Sequence, residues 1–563
     1  MVDWFAAHQA WYWIVAWTSF ALTAVAACSS LCAGFCSDAH EQRWSRRLPP
    51  WVFLTLALLC LCAFRWPIWH IPHEFNLDES EFLGEALTLQ HRPVYWVGVD
   101  GTTHGPLDSY PLLLLRLVGL RYDYLGERVL SAMLLFVVFV ACYRTMAIVS
   151  RDALARVAVI PILCALAFAS SADFLVYASE VVPVTLLAVG TWLVISDQAQ
   201  SIGRGAGSGR WLAGGLLLGS VPMAKLQGGP VALALLTVIA TWELADGGGS
   251  LGMRGRRVLT LATAAVAPTV LFVLLATLYG GWRDFWIAYI GQNLLYAHQG
   301  HTSLRRMIVG FPSFAARVPG LRPYLIGAAA VAAACVFRVR KSTTAQSRAL
   351  TYALVSGVAG ILVALAPGRP YTNYLWFVVV PAGMIAGVLW VACWRSHEGV
   401  EWPVYLRPIL LVGFIAVAIV PQVAVCAGQS RTYLREALAP DDSVAAEVMR
   451  YGRPGEPLGL WGYRCRCNVE TGMWRATRDG DTTWEIVPSP QRDFFRQRYL
   501  RDLEGTRPPV FVDAVGQGNV FANRADAHES FPALGDYVAA HYRFVSEVDG
   551  CRIYVRADRL PLR

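Results

Sequence analysis

Long apolar runs, broken at short intervals by arginine-rich or glycine- and proline-rich turns, dominate the chain from Trp11 to Ala427. A membrane-crossing helix needs about 20 mostly apolar residues. Runs near 10–33, 50–66, 127–149, 156–172, 177–196, 211–224, 229–245, 258–279, 321–337, 348–366, 371–394 and 408–427 meet or approach that length, so the pattern predicts about twelve transmembrane helices. After Ala427 the pattern changes. Helical stretches such as Ser443 to Tyr451 alternate with apolar strands such as Pro457 to Trp461, Val510 to Val515 and Arg552 to Arg556. The expected fold class is therefore a polytopic α-helical membrane protein with a C-terminal α/β domain, divided into 1–427 and 428–563.

Composition sharpens this picture. Of 563 residues, 55% are hydrophobic and 16% charged, against about 25% charged in soluble domains, which excludes an ordinary cytosolic enzyme. The net charge of +8 is carried almost wholly by arginine, since Lys225 and Lys341 are the two lysines. Its distribution says more than its sum, and no nucleic-acid partner is expected. Basic clusters recur between apolar runs: Arg43, Arg46 and Arg47; Arg151 and Arg156; Arg204 and Arg210; Arg254, Arg256 and Arg257; Arg338, Arg340 and Lys341; Arg395 and Arg407. By the positive-inside rule these read as cytoplasmic loops. Twelve crossings then place both termini on the other face, in keeping with Met1 to Ala10, which carries Asp3 and no Lys or Arg. The same lack of a positive n-region argues against a cleaved signal peptide.

The non-cytoplasmic face receives the long loop 67–126, short turns at 173–176, 225–228 and 367–370, a second long loop 280–320, and the C-terminal domain. Ionisable groups at membrane depth are costly and read as functional candidates. The first loop carries Asp78-Glu79, then His104-Gly105-Pro106-Leu107. Adjacent carboxylates suit general-base chemistry or metal binding; they equally suit a helix cap, with Asp78 accepting backbone N–H bonds. Lys225 ends a span in a chain that otherwise uses arginine. It either snorkels to the interface or presents a compact ammonium to a lipid phosphate. Arg369, beside Gly368 and Pro370, stands on the face where the positive-inside rule disfavours it, and a guanidinium holds phosphate oxygens in a fork. Asp173 and Glu180 form a further acidic pair, whose structural reading is simple pairing with Arg369 or Lys225.

Loop 280–320 carries Trp282, Phe285, Trp286, Tyr289 and Tyr296, then His298 and His301. The aromatic density fits an interfacial belt or a lid that stacks on sugar; the two histidines at i and i+3 lack an evident third ligand for a metal. Ten of the thirteen cysteines lie in or next to apolar spans and read as reduced fillers. In the exported domain, a disulfide from Cys465 or Cys467 to Cys551 is expected.

The order Asp78-Glu79, His104-Gly105-Pro106-Leu107, Lys225 and Gly368-Arg369-Pro370-Tyr371-Thr372-Asn373-Tyr374 followed by Pro381 resembles the GT-C glycosyltransferases. Within them it is most similar to the protein mannosyltransferase superfamily that includes bacterial lipid A aminoarabinose transferases, over roughly residues 50 to 427. The resemblance implies transfer of a sugar from a polyprenyl-phosphate donor to a glycan, lipid or protein acceptor, by an enzyme of the bacterial inner membrane with its C-terminal domain outside. It implies Asp78 as base with Glu79 beside it, Lys225 and Arg369 on the donor phosphate, and Glu180 and Asp173 as the second acidic element. Gln227, Tyr371 and Tyr374 are expected to contact substrate. His104 stands where many relatives have lysine, and is assigned to the phosphate in its place; Asn373 replaces a frequent histidine, and span 10–33 is an addition. No cofactor is expected with certainty, and a divalent metal stays open. A transporter or flippase of lipid-linked sugars, or a non-catalytic membrane scaffold, are the competing classes. Against a transporter, the charges gather on one face rather than at the midplane of inverted repeats.

Overall fold

A computed structural model describes residues 2–34, 48–200, 209–246, 249–298, 303–336, 342–369, 371–395, 412–413, 433, 436 and 442–560. The expected span 408–427 apart from 412–413, the basic residues Arg43, Arg46, Arg47, Arg204, Arg338, Arg340, Lys341 and Arg407, and His301 lie outside these residues. Among the described residues, seven helices are long and apolar enough to cross a membrane: His8–Ser29, Tyr124–Val149, Val181–Gln200, Leu226–Asp246, Leu251–Leu278, Thr344–Leu365 and Thr372–Cys393. Two shorter apolar helices, Pro50–Arg65 and Leu321–Val336, accompany them. The chain is an integral membrane protein. The run read as one span over 156–172 is instead two short helices, Asp152–Ala158 and Ile160–Ala167. They part at Val159 (φ −93, ψ −7), just before Pro161, whose missing N–H belongs at a helix start rather than in an interior.

The chain divides into two compact units. The first comprises Met1–His70, Ser131–Val270 and Ala297–Arg435. Glycine brings two of its helices, Val181–Gln200 and Gly209–Ala224, to backbone contact: a Cβ at Gly214 would lie 3.1 Å from the Gly190 carbonyl oxygen. Small residues permit such approach where no hydrophobic driving force acts between helices. Two arginines read as loop charges are in fact buried. Arg257 bridges Asp197 and Glu243 at 2.6 Å each, and Arg156 pairs with Asp152 at 2.5 Å. A charge at the end of an apolar helix is tolerated inside when a carboxylate neutralises it.

The second unit comprises Ile71–Leu130, Leu271–Tyr296 and Glu436–Arg563, so the first long loop packs with the C-terminal domain. That domain is α/β, built on strands β1 (Pro457–Gly462), β2 (Trp474–Arg475), β3 (Val510–Ala514), β4 (Tyr542–Val548) and β5 (Cys551–Arg556) in the order β2-β1-β3-β5-β4. β1 runs parallel to β2 and β3, while β5 lies antiparallel to β3 and β4. Central β3 is buried along its whole length with cores on both faces, and its one charge, Asp513, is paired with His528 and Arg552. One core gathers Val448, Leu458, Val512 and Ile553, the other Trp461, Tyr499, Phe511 and Leu534. The expected disulfide is not formed. Cys467 and Cys551 are thiols inside the first of these cores, and the Cys465 thiol donates to the Gly480 carbonyl at 3.0 Å. Burial raises the pKa of all three and keeps them inert.

Candidate functional site

In the first unit, three separate turns deliver one polar cluster. Arg65, at the end of Pro50–Arg65, donates to the carbonyl oxygens of Leu166 (3.0 Å), Phe174 (2.7 Å) and Leu175 (2.8 Å), which fixes the segment bearing Asp173. The Asp173 carboxylate accepts from the Thr372 hydroxyl, and its backbone carbonyl accepts from Trp376 Nε1 at 3.1 Å. Lys225 follows directly on helix Gly209–Ala224 and is only 5% exposed. Its ammonium donates to Ser179 Oγ and Glu180 Oε1 and lies 5.2 Å from the centre of the Tyr374 ring. The snorkelling reading of Lys225 is thereby removed. Gln227 is engaged too, its Nε2 donating to the Val363 carbonyl at 2.6 Å. Arg369 and Tyr371 are exposed on the turn that also carries Thr372 and Tyr374, with the Tyr371 and Tyr374 rings 5.8 Å apart. Asp173, Glu180, Lys225, Gln227 and Tyr374 thus share one neighbourhood, although they come from positions up to 201 residues apart.

An apolar cavity of 70 Å³ adjoins this cluster, walled by residues of five helices including Val184, Thr191, Tyr352, Trp376 and Met384. Val184 sits one turn after Glu180, its N–H bonded to the Glu180 carbonyl at 3.0 Å. Trp376 follows Tyr374 by two residues. The unit therefore sets a buried ammonium and carboxylate beside an apolar slot.

The second unit holds the acidic helix Leu77–Leu89. Its cap is Asn76, whose side chain accepts from the Asp78 N–H at 3.0 Å, and Glu79 closes the capping box by accepting from the N–H groups of Phe75 (2.7 Å) and Asn76 (3.3 Å). Glu79 is also clamped by Arg128 at 2.5 and 2.9 Å, and Arg128 donates further to the carbonyls of Ile71 and His73 at 2.7 Å. Glu79 is buried and fully occupied, while Asp78 beside it is half-buried. The helix cap is built by Asn76 and Glu79.

Spacing i, i+3, i+7 puts Asp78, Glu81 and Glu85 on one stripe of that helix. Glu85 accepts from Ser109, meets His104 Nε2 at 3.0 Å and lies 3.4 Å from Arg475. Glu81 accepts from the Tyr463 hydroxyl at 3.1 Å. His104 is a buried partner of Glu85. Burial pushes its pKa down, but the Glu85 charge and hydrogen bond outweigh this and lift it to about 9. Burial lifts Glu81 to about 8, against the pull of His104, whereas Glu85, although buried, is held below its ordinary value by His104 and Arg475. Glu81, Glu85 and His104 each place one ligand atom within 4.8 Å of the others, as do Asp513, His528 and Glu529. At both places an arginine, Arg475 or Arg552, already supplies the countercharge, so a cation would have to enter against it. Sequence reasoning missed Arg128, Glu81, Glu85, Arg475 and Tyr463. The stripe and the Asn76-x-x-Glu79 box were available signals, but the partners 390 residues away were not.

Aromatic residues of the second loop are sorted by their own helix. Phe285–Gly291 is a π-helix, a form frequent at functional sites. It buries Phe285 and Tyr289 against Trp96, with ring centres 5.0 and 5.5 Å away, and leaves Trp282 and Trp286 about half exposed.

In structure the chain is similar to GT-C membrane glycosyltransferases. The Saccharomyces cerevisiae protein O-mannosyltransferase Pmt1-Pmt2, bound to its sugar donor, aligns at 17% identity and a TM-score of 0.31, over 41% of this chain and 34% of that one. The chain thus spans about a third of that relative. The Archaeoglobus fulgidus oligosaccharyltransferase AglB, in complex with an inhibitory peptide and a dolichol-phosphate, aligns at 12% identity and a TM-score of 0.45 over 92% and 75%. The same enzyme tethered to an acceptor peptide gives 10% and 0.47 over 90% and 73%. No family model and no curated protein matches the sequence.

Proposed function

We propose that this protein transfers a sugar, with inversion, from a polyprenyl-phosphate carrier to a hydroxyl of an extracytoplasmic glycan, lipid or protein. The observation that carries the reading is the buried Lys225–Glu180 cluster set against an apolar cavity, an arrangement suited to an amphiphile with an anionic head and a hydrocarbon tail. In-line attack of the acceptor oxygen on the anomeric carbon expels the phosphate as an anion. No acid is needed for the leaving group, so one carboxylate suffices, unlike the pair used in glycoside hydrolysis. Asp78 accepts the hydroxyl proton; Glu79, already occupied by Arg128 and the helix cap, holds the helix start. Lys225 and Arg369 neutralise the departing phosphate, with Glu180 and Asp173 positioning Lys225 and Thr372, and Gln227, Tyr371 and Tyr374 lining the approach. His104 serves the buried network of its own loop. No step requires a metal.

The test uses the full chain in lipid nanodiscs with a labelled polyprenyl-phosphate sugar and an extract of cell-envelope glycans, lipids and proteins. Label should leave the polyprenol and appear covalently on an acceptor. Label that crosses the bilayer of a proteoliposome still attached to its polyprenol would identify a transporter instead and overturn the reading.

A further inference from the structure

The second unit contains an open cavity of 440 Å³ lined by Arg92, Val97, Gly98, Arg478, Arg501 and Asp502. Its floor is rigid. Arg478 chelates Asp502 through Nε and Nη2 at 2.8 Å each and donates from Nη1 to the Trp96 carbonyl at 3.0 Å. That pair is self-neutralising. Arg92 and Arg501 are different: among the described residues neither has a carboxylate within ion-pair distance, so the lining carries a net charge of two. Arg92 is held in place by its N–H bond to the Thr88 carbonyl at 2.9 Å and by the Trp474 ring, 5.4 Å from its guanidinium carbon. The loop closes tightly because residue 98 is glycine, where a Cβ would meet the Arg92 carbonyl oxygen at 2.4 Å. Arg501 projects from helix Arg492–Thr506, one turn before Gly505, whose Cβ position is open space.

We infer that this cavity binds an acidic sugar of the acceptor, its carboxylate held between Arg92 and Arg501 and its ring against Val94 and Val97. The inference rests on the transfer reading above. Two guanidinium groups lining one cavity suit a carboxylate, and the volume falls in the range of about 300–1,000 Å³ that accommodates a whole small ligand rather than a lone ion. The cavity is remote from the chemistry. Helix Leu77–Leu89 rises about 1.5 Å per residue, so Thr88, to which Arg92 is bonded, stands about 15 Å along it from Asp78. Binding energy collected there is of the kind that selects an acceptor and orients its reacting end.

The experiment is direct binding, which needs no turnover. Tetragalacturonate, maltotetraose as its neutral counterpart, inorganic phosphate, and phosphatidylglycerol nanodiscs are titrated against the full chain in detergent. Tetragalacturonate should bind and maltotetraose should not. Arg92→Gln with Arg501→Gln should weaken binding about ten-fold or more, and Gly505→Phe, which keeps every charge and fills open space, should do the same. Undiminished binding in either variant, binding of phosphate as tight as that of tetragalacturonate, or binding of phosphatidylglycerol in preference to it would each overturn the assignment. Failure of sugar transfer would leave these results unchanged, so the two readings fall separately.

Discussion

Asp78 and Glu79 are neighbours in sequence with opposite circumstances. Glu79 has both oxygens committed to Arg128 and to the chain entering the helix, whereas Asp78 is half-buried. Asp78→Asn should therefore leave folding and donor binding intact and lower turnover by about 10² or more. Near-normal turnover in that variant would end its assignment as the base. His104 supplies a second residue-level prediction. Its pKa of about 9 in the folded protein exceeds the ordinary 6.5, so its pairing with Glu85 stabilises fully below about pH 6.5 and is lost as pH rises through 9. Glu81, lifted to about 8, acts in the same direction, because the folded state binds a proton that the unfolded state releases near pH 4.5. Stability should thus fall between pH 6.5 and 9 in thermal unfolding, and His104→Gln should flatten that slope. A slope unchanged by the substitution would remove His104 as its source.

At the scale of elements, the start of helix Leu77–Leu89 and the end of helix Gly209–Ala224 each hold a buried ion pair, and each pair is separable by mutation. Arg128→Ala strands Glu79 without its partner and should cost about 3 to 5 kcal/mol, read as faster hydrogen exchange over Leu77–Leu89; adding Glu79→Gln should recover part of it. Lys225→Met alone confounds folding with function, since it abandons buried Glu180. The double variant Lys225→Met with Glu180→Gln removes both charges. It should restore thermal stability yet still bind a polyprenyl phosphate more weakly, by about 2 kcal/mol or more. Donor affinity restored along with stability would make Lys225 purely structural. The capping box was legible as Asn76-x-x-Glu79, and the apolar helices as long runs, because both are written in local sequence. The split of 156–172 into two helices followed from Pro161 and the chain before it, which an averaged hydropathy reading passes over.

For the whole molecule, orientation is the open quantity, and one constraint on it is structural. Residues 71–130, 271–296 and 436–563 form a single compact unit, tied by Arg498 to Asp100 at 2.6 Å and Asp284 at 2.9 Å. They must emerge on one side of any membrane the chain crosses. Single cysteines at exposed positions 93 and 453, in a background without reactive thiols, should be labelled by an impermeant maleimide from outside, while one at position 250, beside Arg254, should not. The opposite pattern would place Asp78 in the cytoplasm and exclude extracytoplasmic transfer.

Sequence by itself determined that this is a membrane protein with a C-terminal α/β portion, and it singled out Asp78, Lys225 and Arg369 as charges in unusual places. Those properties depend on residue type and on periods of two or of three to four residues, which a reader of one sequence can see. Tertiary structure alone decided what each charge is used for. Glu79 went to Arg128, His104 to Glu85, Glu180 to Lys225, and three cysteines stayed buried thiols rather than forming a disulfide. The reason is that a buried charge is settled by whichever countercharge the fold brings within about 3 to 4 Å, and those partners lie 19 to 390 residues away along the chain.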